Sequence, residues 1–584
     1  MTLKRKMGII GIGPRGGYAL ENLVLELANQ NSLSNIEFLL FESTGNFGNG
    51  QVYDLRQATS NWINITERVL ELSKREAIQS VSFNIPSFPS YHEWIDKDFE
   101  KLPEELADAY PPRAQIGKYL SQRFQSFIKP LIESKTASLL EEQVIEIALL
   151  NSDRFQIKTD TNTYENVNEI LLTIGHQPTE SSQQIIDWYK HASNKSKVNL
   201  FPSPYPVANF LNSKNLSSES NIGIRGFGLA MIDVVRGIAE KFGNFKTTDE
   251  KSKRCTYETD FAIKNMLVPF SLDGLPPVPK PLNAQIDHRF KPTTSQISSF
   301  EEQIGNPETQ SQAESPNFLI AAFAPIAAHI FLQLPNATNP ESLSQNEIET
   351  IIVQWLEDTN FEHPLITSIK QPVHKIMNDF VEMSIGEKTS SLDYCIGQVW
   401  RHCQPSIYEE LSFNKCSDAV FADIIALDES TKRYSYGPPV ASIQQLIALT
   451  EVDVLNLEMV NDPEIELTDG GWRFQASDKS INVQIMIDSV LDSPKIKSVN
   501  SPLVKNLLED NLLMAVHDDL GVSTDDNGYL IPKRKGKKVP IALLGRLAKG
   551  TVIGVDAILE CFGNRPRNWS NQAAKNHSKW LQKI

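Results

Sequence analysis

An α/β chain with two doubly wound, Rossmann-like nucleotide-binding units and a helical insertion is predicted by three observations. Residues 7–16 read MGIIGIGPRG, an apolar run ending in Gly11, Gly13 and Gly16 that leads straight into the apolar-periodic segment YALENLVLELA. That strand–turn–helix context turns a G-x-G-x-x-G string into a dinucleotide-binding hypothesis. The same design recurs in NIGIRGFGLAMIDVVRGIAEKFG, where Gly226 and Gly228 hold the first two fingerprint places and Met231 the third. From Asn317 to about Tyr408 the apolar residues recur at helical spacing throughout. The chain of 584 residues exceeds one ordinary core. Four segments are expected: residues 1–215, 216–300, 301–418 and 419–584. They correspond to a first nucleotide-binding unit with a strand meander, a second nucleotide-binding unit, the helical insertion, and a mixed α/β segment that completes the core.

In the opening element Gly11 permits the tight turn and Gly13 the close approach of a pyrophosphate, while Gly16 lets the helix pack on its strand. Pro14 and Arg15 lie inside the same turn, and the free N–H groups at the helix start face the anionic ligand. A second strand, IEFLLFE, ends in Glu42, an acid placed to bind a ribose hydroxyl. The connection FGNGQVYDLRQATSNWINI (47–65) follows, and Gly48 and Gly50 let it lie close to a flat ring. After Tyr110-Pro111-Pro112-Arg113 comes the helical pattern AQIGKYLSQRFQSFI. The alternating segments QVIEIALL, RFQIKTD and NEILLTIG read as a strand meander returning to the main sheet. It stops at the turn Gly175-His176-Gln177-Pro178, where His176 is read as a turn or capping residue ahead of a ligand contact. A polar stretch, 179–220, precedes the second glycine turn.

Residues 292–316, PTTSQISSFEEQIGNPETQSQAESP, read as a mobile loop. The apolar run 318–334 contains Pro325 and His329 and is expected as a buried core helix, being too short to span a bilayer. From about Ala419 helices such as SIQQLIALTEV mix with strands such as GWRFQAS and INVQIMID. In VPIALLGRLAKGTVIGVDAILEC a strand ends at Gly545 and a helix is expected near Gly554-Val555-Asp556. Asp556 has two readings there: an acceptor for a cofactor hydroxyl, or a helix N-cap.

A formal net charge of −16, with 40% hydrophobic and 22% charged residues, describes a globular chain and argues against a nucleic-acid partner. The one strongly basic run, Lys533-Arg534-Lys535-Gly536-Lys537-Lys538, reads as a solvated loop between two strands. Five widely spaced cysteines (Cys255, Cys395, Cys403, Cys416, Cys561) indicate neither a disulfide framework nor a zinc site and fit reduced, cytoplasmic thiols. The opening MTLKRKMGIIGIG runs into the glycine turn and not into a cleavage site, so neither a leader nor a membrane partner is expected. G-x-S-x-G, H-E-x-x-H and G-x-x-x-x-G-K-[ST] strings do not occur.

Taken together, GIGPRGG, FGNGQVY with the following Asn64, PPRAQIGKYL, LLTIGHQP, RGFGLAMID, SLDGLPP, YGPP and LLGRLAKG are similar to segments of the bacterial FAD/NAD(P)-binding protein family. That family is related to flavin-dependent monooxygenases of the N-hydroxylating and urate-hydroxylating types. The resemblance implies a two-dinucleotide-binding flavoprotein, with FAD at the first turn and NAD(P)H at the second. By it, Gly11, Gly13, Pro14, Arg15, Gly16 and Glu42 hold the ADP half of FAD. Gly48, Gly50, Asn64, Gly175 and Asp556 lie along the flavin half, and Gly226 and Gly228 hold the nicotinamide nucleotide. It implies an FAD-dependent oxidoreductase reduced by NAD(P)H, a monooxygenase on a small polar molecule. A dehydrogenase or reductase that does not use O₂, and a non-catalytic nucleotide-binding protein, stay open. No catalytic side chain and no oligomeric state is assigned. Leu272 and Asp273 follow Ser271 where relatives carry an Arg suited to a 2′-phosphate, and Ile174 stands where the N-hydroxylase pattern has Thr.

Overall fold

In this computed structural model, residues 4–81, 83–151, 154–335, 342–491, 495–531 and 539–584 are described; the basic run 533–538 lies outside them. The first unit opens with strand β1 (Arg5–Ile10), helix α1 (Pro14–Asn29), strand β2 (Ile36–Phe41), helix α2 (Arg113–Glu133) and strand β3 (Ala137–Leu140). An antiparallel meander, Val144–Asn151, Arg154–Thr159 and Thr163–Val167, leads into strand β4 (Glu169–Leu172).

The second unit has strands β5 (Asn199–Phe201) and β6 (Ile222–Arg225), helix α3 (Leu229–Phe242) and strand β7 (Leu267–Phe270). Much later come β8 (Ile485–Asp488), β9 (Ile541–Leu543) and helix α4 (Asn564–Leu581). The first sheet runs β9-β4-β1-β2-β3 and the second β5-β8-β6-β7, with every pair parallel. In each sheet the strand before the glycine turn has the next sheet strand on one side and a much later one on the other. That is the topological switch point where parallel α/β sheets bind ligands beyond their carboxyl ends.

Both faces of the first sheet are covered, so β1 and β2 are near-continuous apolar runs. Met7, Ile9, Phe38 and Leu40 pack toward Leu20, Leu23 and Trp569 of the helices, whereas Ile10, Leu39 and Phe41 pack toward Ile147, Phe155 and Ile157 of the meander. Gly8 faces the meander so closely that an added Cβ would lie 2.7 Å from Ile157 Cδ1.

The expected loop 292–316 is helical instead: Thr294–Ile304 and Pro307–Gln312 are helices. A capping box of Thr293 and Gln296 starts the first of them, Asn306 caps the second, and burial of Phe300 and Ile304 anchors the segment. Helices continue through the expected buried helix, Asn317–Gln333, to Val440–Glu451, and their apolar faces share one core with the second sheet. The helix expected near Gly554–Asp556 begins later, at Asn564 with Gly563 as N-cap, which removes the N-cap reading of Asp556.

Candidate functional site

The first glycine turn is dictated by contacts. Gly11 has φ +95°, and an added Cβ there would sit 2.4 Å from the Thr173 carbonyl oxygen. On α1 a Cβ at Gly16 would lie 2.4 Å from the Gly11 carbonyl oxygen, so these two glycines serve the packing of helix on strand. Gly13 is different. Its backbone is extended, it is the N-cap of α1, no side chain caps the helix, and a Cβ would meet only Gly50, with the Cα 3.6 Å away. Pro14 fills the first helical position, so the bare N–H groups that follow carry the helix dipole toward this space.

The connection after β2 folds onto the turn. Gly48 N donates to the Ile12 carbonyl at 2.7 Å, and a Cβ on Gly50 would come 3.2 Å from Gly13 Cα. Glu42 is buried and accepts from the N–H groups of Thr44 and Asn46, both 2.8 Å, at Oε2. Its Oε1 accepts from the Thr44 hydroxyl at 3.0 Å and retains capacity for a further donor. Asn64, at the far end of the connection, donates to the Tyr436 carbonyl at 3.3 Å, and its own carbonyl accepts from Lys280 Nζ. Burial and the nearby Arg401 push Lys280 down to about 7, against the pull of Asp287.

At the carboxyl end of the first sheet the side chains are charged. Arg15 donates to the Val555 carbonyl at 3.1 Å and passes over Gly545, whose φ is +108°. Arg546 donates to His176 Nε2 at 2.6 Å, linking the turn after β9 to the turn after β4, where Gly175 has φ +62° and open space around its Cα. Asp556 pairs with Lys432 at 2.9 Å, Lys549 at 3.7 Å and Arg546 at 3.8 Å. Burial opposes its charge, but these three cations hold the carboxyl below the usual carboxylate range. Burial and then Asp556 push Glu560 up to about 7, with Arg15 opposing. Three cations thus converge on Asp556, and Arg15 ties the neighbouring Val555 to the start of the first helix.

The second turn repeats the first. Gly226 has φ +105°, and a Cβ there would meet Ser489 Oγ at 2.7 Å, whereas a Cβ at Gly228, the N-cap of α3, meets nothing within 4 Å. Met231, in the third fingerprint place, is fully buried in the core. Polar contacts join the two units. Arg113 at the start of α2 donates to Asp233 on α3 at 3.0 Å and to the Tyr205 hydroxyl at 3.2 Å. Tyr205 donates to the same carboxylate at 2.6 Å. Arg236 donates to the Ser60 carbonyl at 2.7 Å and lies 3.9 Å from the centre of the Trp62 ring.

Lys280, Lys432, Arg546 and Lys549 are the site neighbours that sequence reasoning missed. Each sits on a turn or helix that only the tertiary fold brings to the nucleotide ends, although LLGRLAKG and SLDGLPP flag their neighbourhoods. Among the described residues no cluster of His, Cys, Asp and Glu is arranged to hold a metal ion, and no helix is long and apolar enough to cross a membrane. All five cysteines are free thiols.

Two parallel sheets, each ending in a glycine turn with an open N-cap position, define an α/β protein with two dinucleotide-binding units. Residues 8–177 match the FAD-NAD(P)-binding family, so this segment is an FAD/NAD(P)-binding domain. A relative, nitrosuccinic acid synthase npaA of Aspergillus oryzae, is 23% identical over 236 residues, which span 40% of this chain and 35% of that protein. Among solved structures, L-lysine 6-monooxygenase from Pseudomonas syringae superposes with a TM-score of 0.44 at 13% identity, covering 98% of this chain and 99% of that one. An ε-caprolactone-bound cyclohexanone monooxygenase gives 0.42 at 12% identity, covering 99% and 89%.

Proposed function

We propose that the protein is an FAD-dependent oxidoreductase reduced by NAD(P)H, a monooxygenase acting on a small polar molecule. The observation that carries the reading is the pair of open N-cap glycines. Both Gly13 and Gly228 stand at the carboxyl ends of parallel strands with room for a phosphate and uncapped N–H groups behind them. Two such cradles call for two dinucleotides, and the family match assigns the first unit to FAD/NAD(P) binding. In this assignment Gly11, Gly13, Pro14, Arg15, Gly16 and Glu42 hold the ADP half of FAD. The 48–53 connection, Asn64, Gly175 and Asp556 follow its flavin half, and Gly226 and Gly228 hold the nicotinamide nucleotide.

FAD, when bound, accepts hydride from the reduced nicotinamide and, reduced, activates O₂. The chain itself contributes position and charge. Arg15, in the first turn of α1, offsets the negative charge of a pyrophosphate held at Gly13, while Lys432, Lys549 and Arg546 are balanced by Asp556. The Arg113–Asp233–Tyr205 contact ties helix α2 of the first unit to helix α3 of the second. The relative named for making nitrosuccinic acid, a compound bearing an oxidised nitrogen, favours oxygen transfer over simple dehydrogenation. Free thiols and a formal net charge of −16 support a cytoplasmic setting without a nucleic-acid partner.

The test is O₂ uptake by the FAD-loaded protein with NAD(P)H across a panel of small amino and carboxylic acids, with products weighed by mass spectrometry under ¹⁸O₂. A substrate that accelerates O₂ uptake and emerges with one labelled oxygen supports the reading. Nicotinamide oxidation that proceeds equally well without O₂, with no label incorporated, selects the dehydrogenase alternative.

A further inference from the structure

The two glycine turns are in the same register with respect to their second strands, and this locates the group that reads the adenosine ribose of the nicotinamide nucleotide. In the first unit Ile10 pairs with Phe41, Gly11 N donates to the Phe41 carbonyl at 2.9 Å, and the next residue is Glu42. In the second unit Arg225 pairs with Phe270, Gly226 N donates to the Phe270 carbonyl at 2.7 Å, and the next residue is Ser271. Ser271 therefore stands where Glu42 stands, at the place where a dinucleotide fold binds the 2′ position of the ribose.

A carboxylate has been brought to that place by a short turn. Ser271 Oγ donates to Asp273 Oδ1 at 2.9 Å and accepts from Gly274 N at 3.0 Å, while Leu275 N donates to the same Oδ1 at 3.1 Å. Oδ2 is left outside these bonds on an exposed side chain. The backbone of Asp462 adjoins the same turn, Asp462 N donating to the Ser271 carbonyl at 2.9 Å. Leu272, between Ser271 and Asp273, is 86% exposed and carries no charge. Arg433 shares a cavity with Asp273, and one edge of its guanidinium is turned to the backbone. Its Nε donates to the Pro276 carbonyl at 2.8 Å, and the group lies 5.3 Å from the centre of the Tyr434 ring.

We infer that Asp273, held by Ser271, selects NADH over NADPH; the inference rests on the second glycine turn being the nicotinamide site. A ribose 2′-hydroxyl donates a hydrogen bond to the free carboxylate oxygen. A 2′-phosphate at the same place brings about two negative charges against Asp273. The discrimination comes as much from this repulsion as from the bond to the correct nucleotide.

The test is calorimetric titration of the FAD-loaded protein with NAD⁺ and with NADP⁺, alongside flavin bleaching by NADH and NADPH. NAD⁺ is expected to bind tighter by on the order of 100-fold. The double variant Leu272→Arg, Asp273→Ser is expected to lose at least about tenfold of that preference, with unchanged FAD content. NADP⁺ binding as tightly as NAD⁺, or a double variant with the original preference, overturns the inference while leaving the nicotinamide site in place. Failure of both nucleotides to bind removes the site itself, and the inference with it.

Discussion

Alanine at Gly13 separates the folding role of the first turn from its binding role. At Gly13 the backbone is extended, with φ −89° and ψ −161°, which any residue adopts. An added Cβ stays 3.6 Å from Gly50 Cα, an ordinary van der Waals distance. Alanine reduces the freedom of the unfolded chain, worth about 0.4–1 kcal/mol, and is a poorer N-cap by a similar amount, so the two effects offset. The flavin-free Gly13→Ala protein should melt within about 2 °C of the wild type. On the proposed assignment its methyl group occupies the side on which the pyrophosphate approaches, and FAD should bind at least about 100-fold more weakly, or roughly 2.7 kcal/mol. Gly11→Ala is the contrast: φ +95° and a Cβ 2.4 Å from the Thr173 oxygen strain the fold itself, by about 1–3 kcal/mol from the backbone alone. Flavin titration of the apoprotein and thermal melts with and without FAD read both quantities. The reasoning fails if Gly13→Ala binds FAD like the wild type, or if it loses FAD only because it unfolds.

Gly228→Ala, at a position with open space around it, should weaken nicotinamide binding at least about tenfold and leave FAD content unchanged; equal loss of both nucleotides would speak against two separate sites. Glu560 keeps its proton in the folded protein up to about pH 7, against about 4.5 when unfolded, so its contribution to stability falls as pH rises between those values. By pH 8 this costs up to about 3 kcal/mol. Glu560→Gln should therefore raise Tm at pH 8 and leave it unchanged below pH 4.5, and a shift independent of pH would contradict the assignment. Asp233→Ala strips the buried partner from half-buried Arg113 and Tyr205 and should destabilise by about 1–3 kcal/mol, seen as a lower denaturant midpoint. A midpoint equal to the wild type would show that this contact does not join the two units.

The parts of the fold legible in the sequence are those governed by local rules. Gly11, Gly16 and Gly226 mark places where a Cβ meets backbone or buried atoms, and the alternation in RFQIKTD reports a strand with one buried face. In the polar run 292–316 composition points to a loop while the pattern points to helix, and the pattern prevails. Ile297, Phe300 and Ile304 hold helical spacing behind the Thr293–Gln296 capping box, and Asn306-Pro307 is a second helix start. Asp556 is placed by tertiary structure, because Lys432 lies more than 120 residues away in the chain, on the helix Asp418–Ser435. Lys280 is similar: PPVPKPL gives no sign that the amine will be buried against the Asn64 carbonyl. Glycines whose freedom the fold needs are readable from sequence; a charge needed by a neighbour from another unit is not.

Anaerobic titration of the FAD-reconstituted protein with reduced nicotinamide, followed by its absorbance spectrum, tests the central claim most directly. The account predicts that the chain takes up FAD, that the flavin colour bleaches on adding NADH, and that it returns when O₂ is admitted. A chain that takes up no FAD, or holds FAD that neither NADH nor NADPH bleaches, contradicts it.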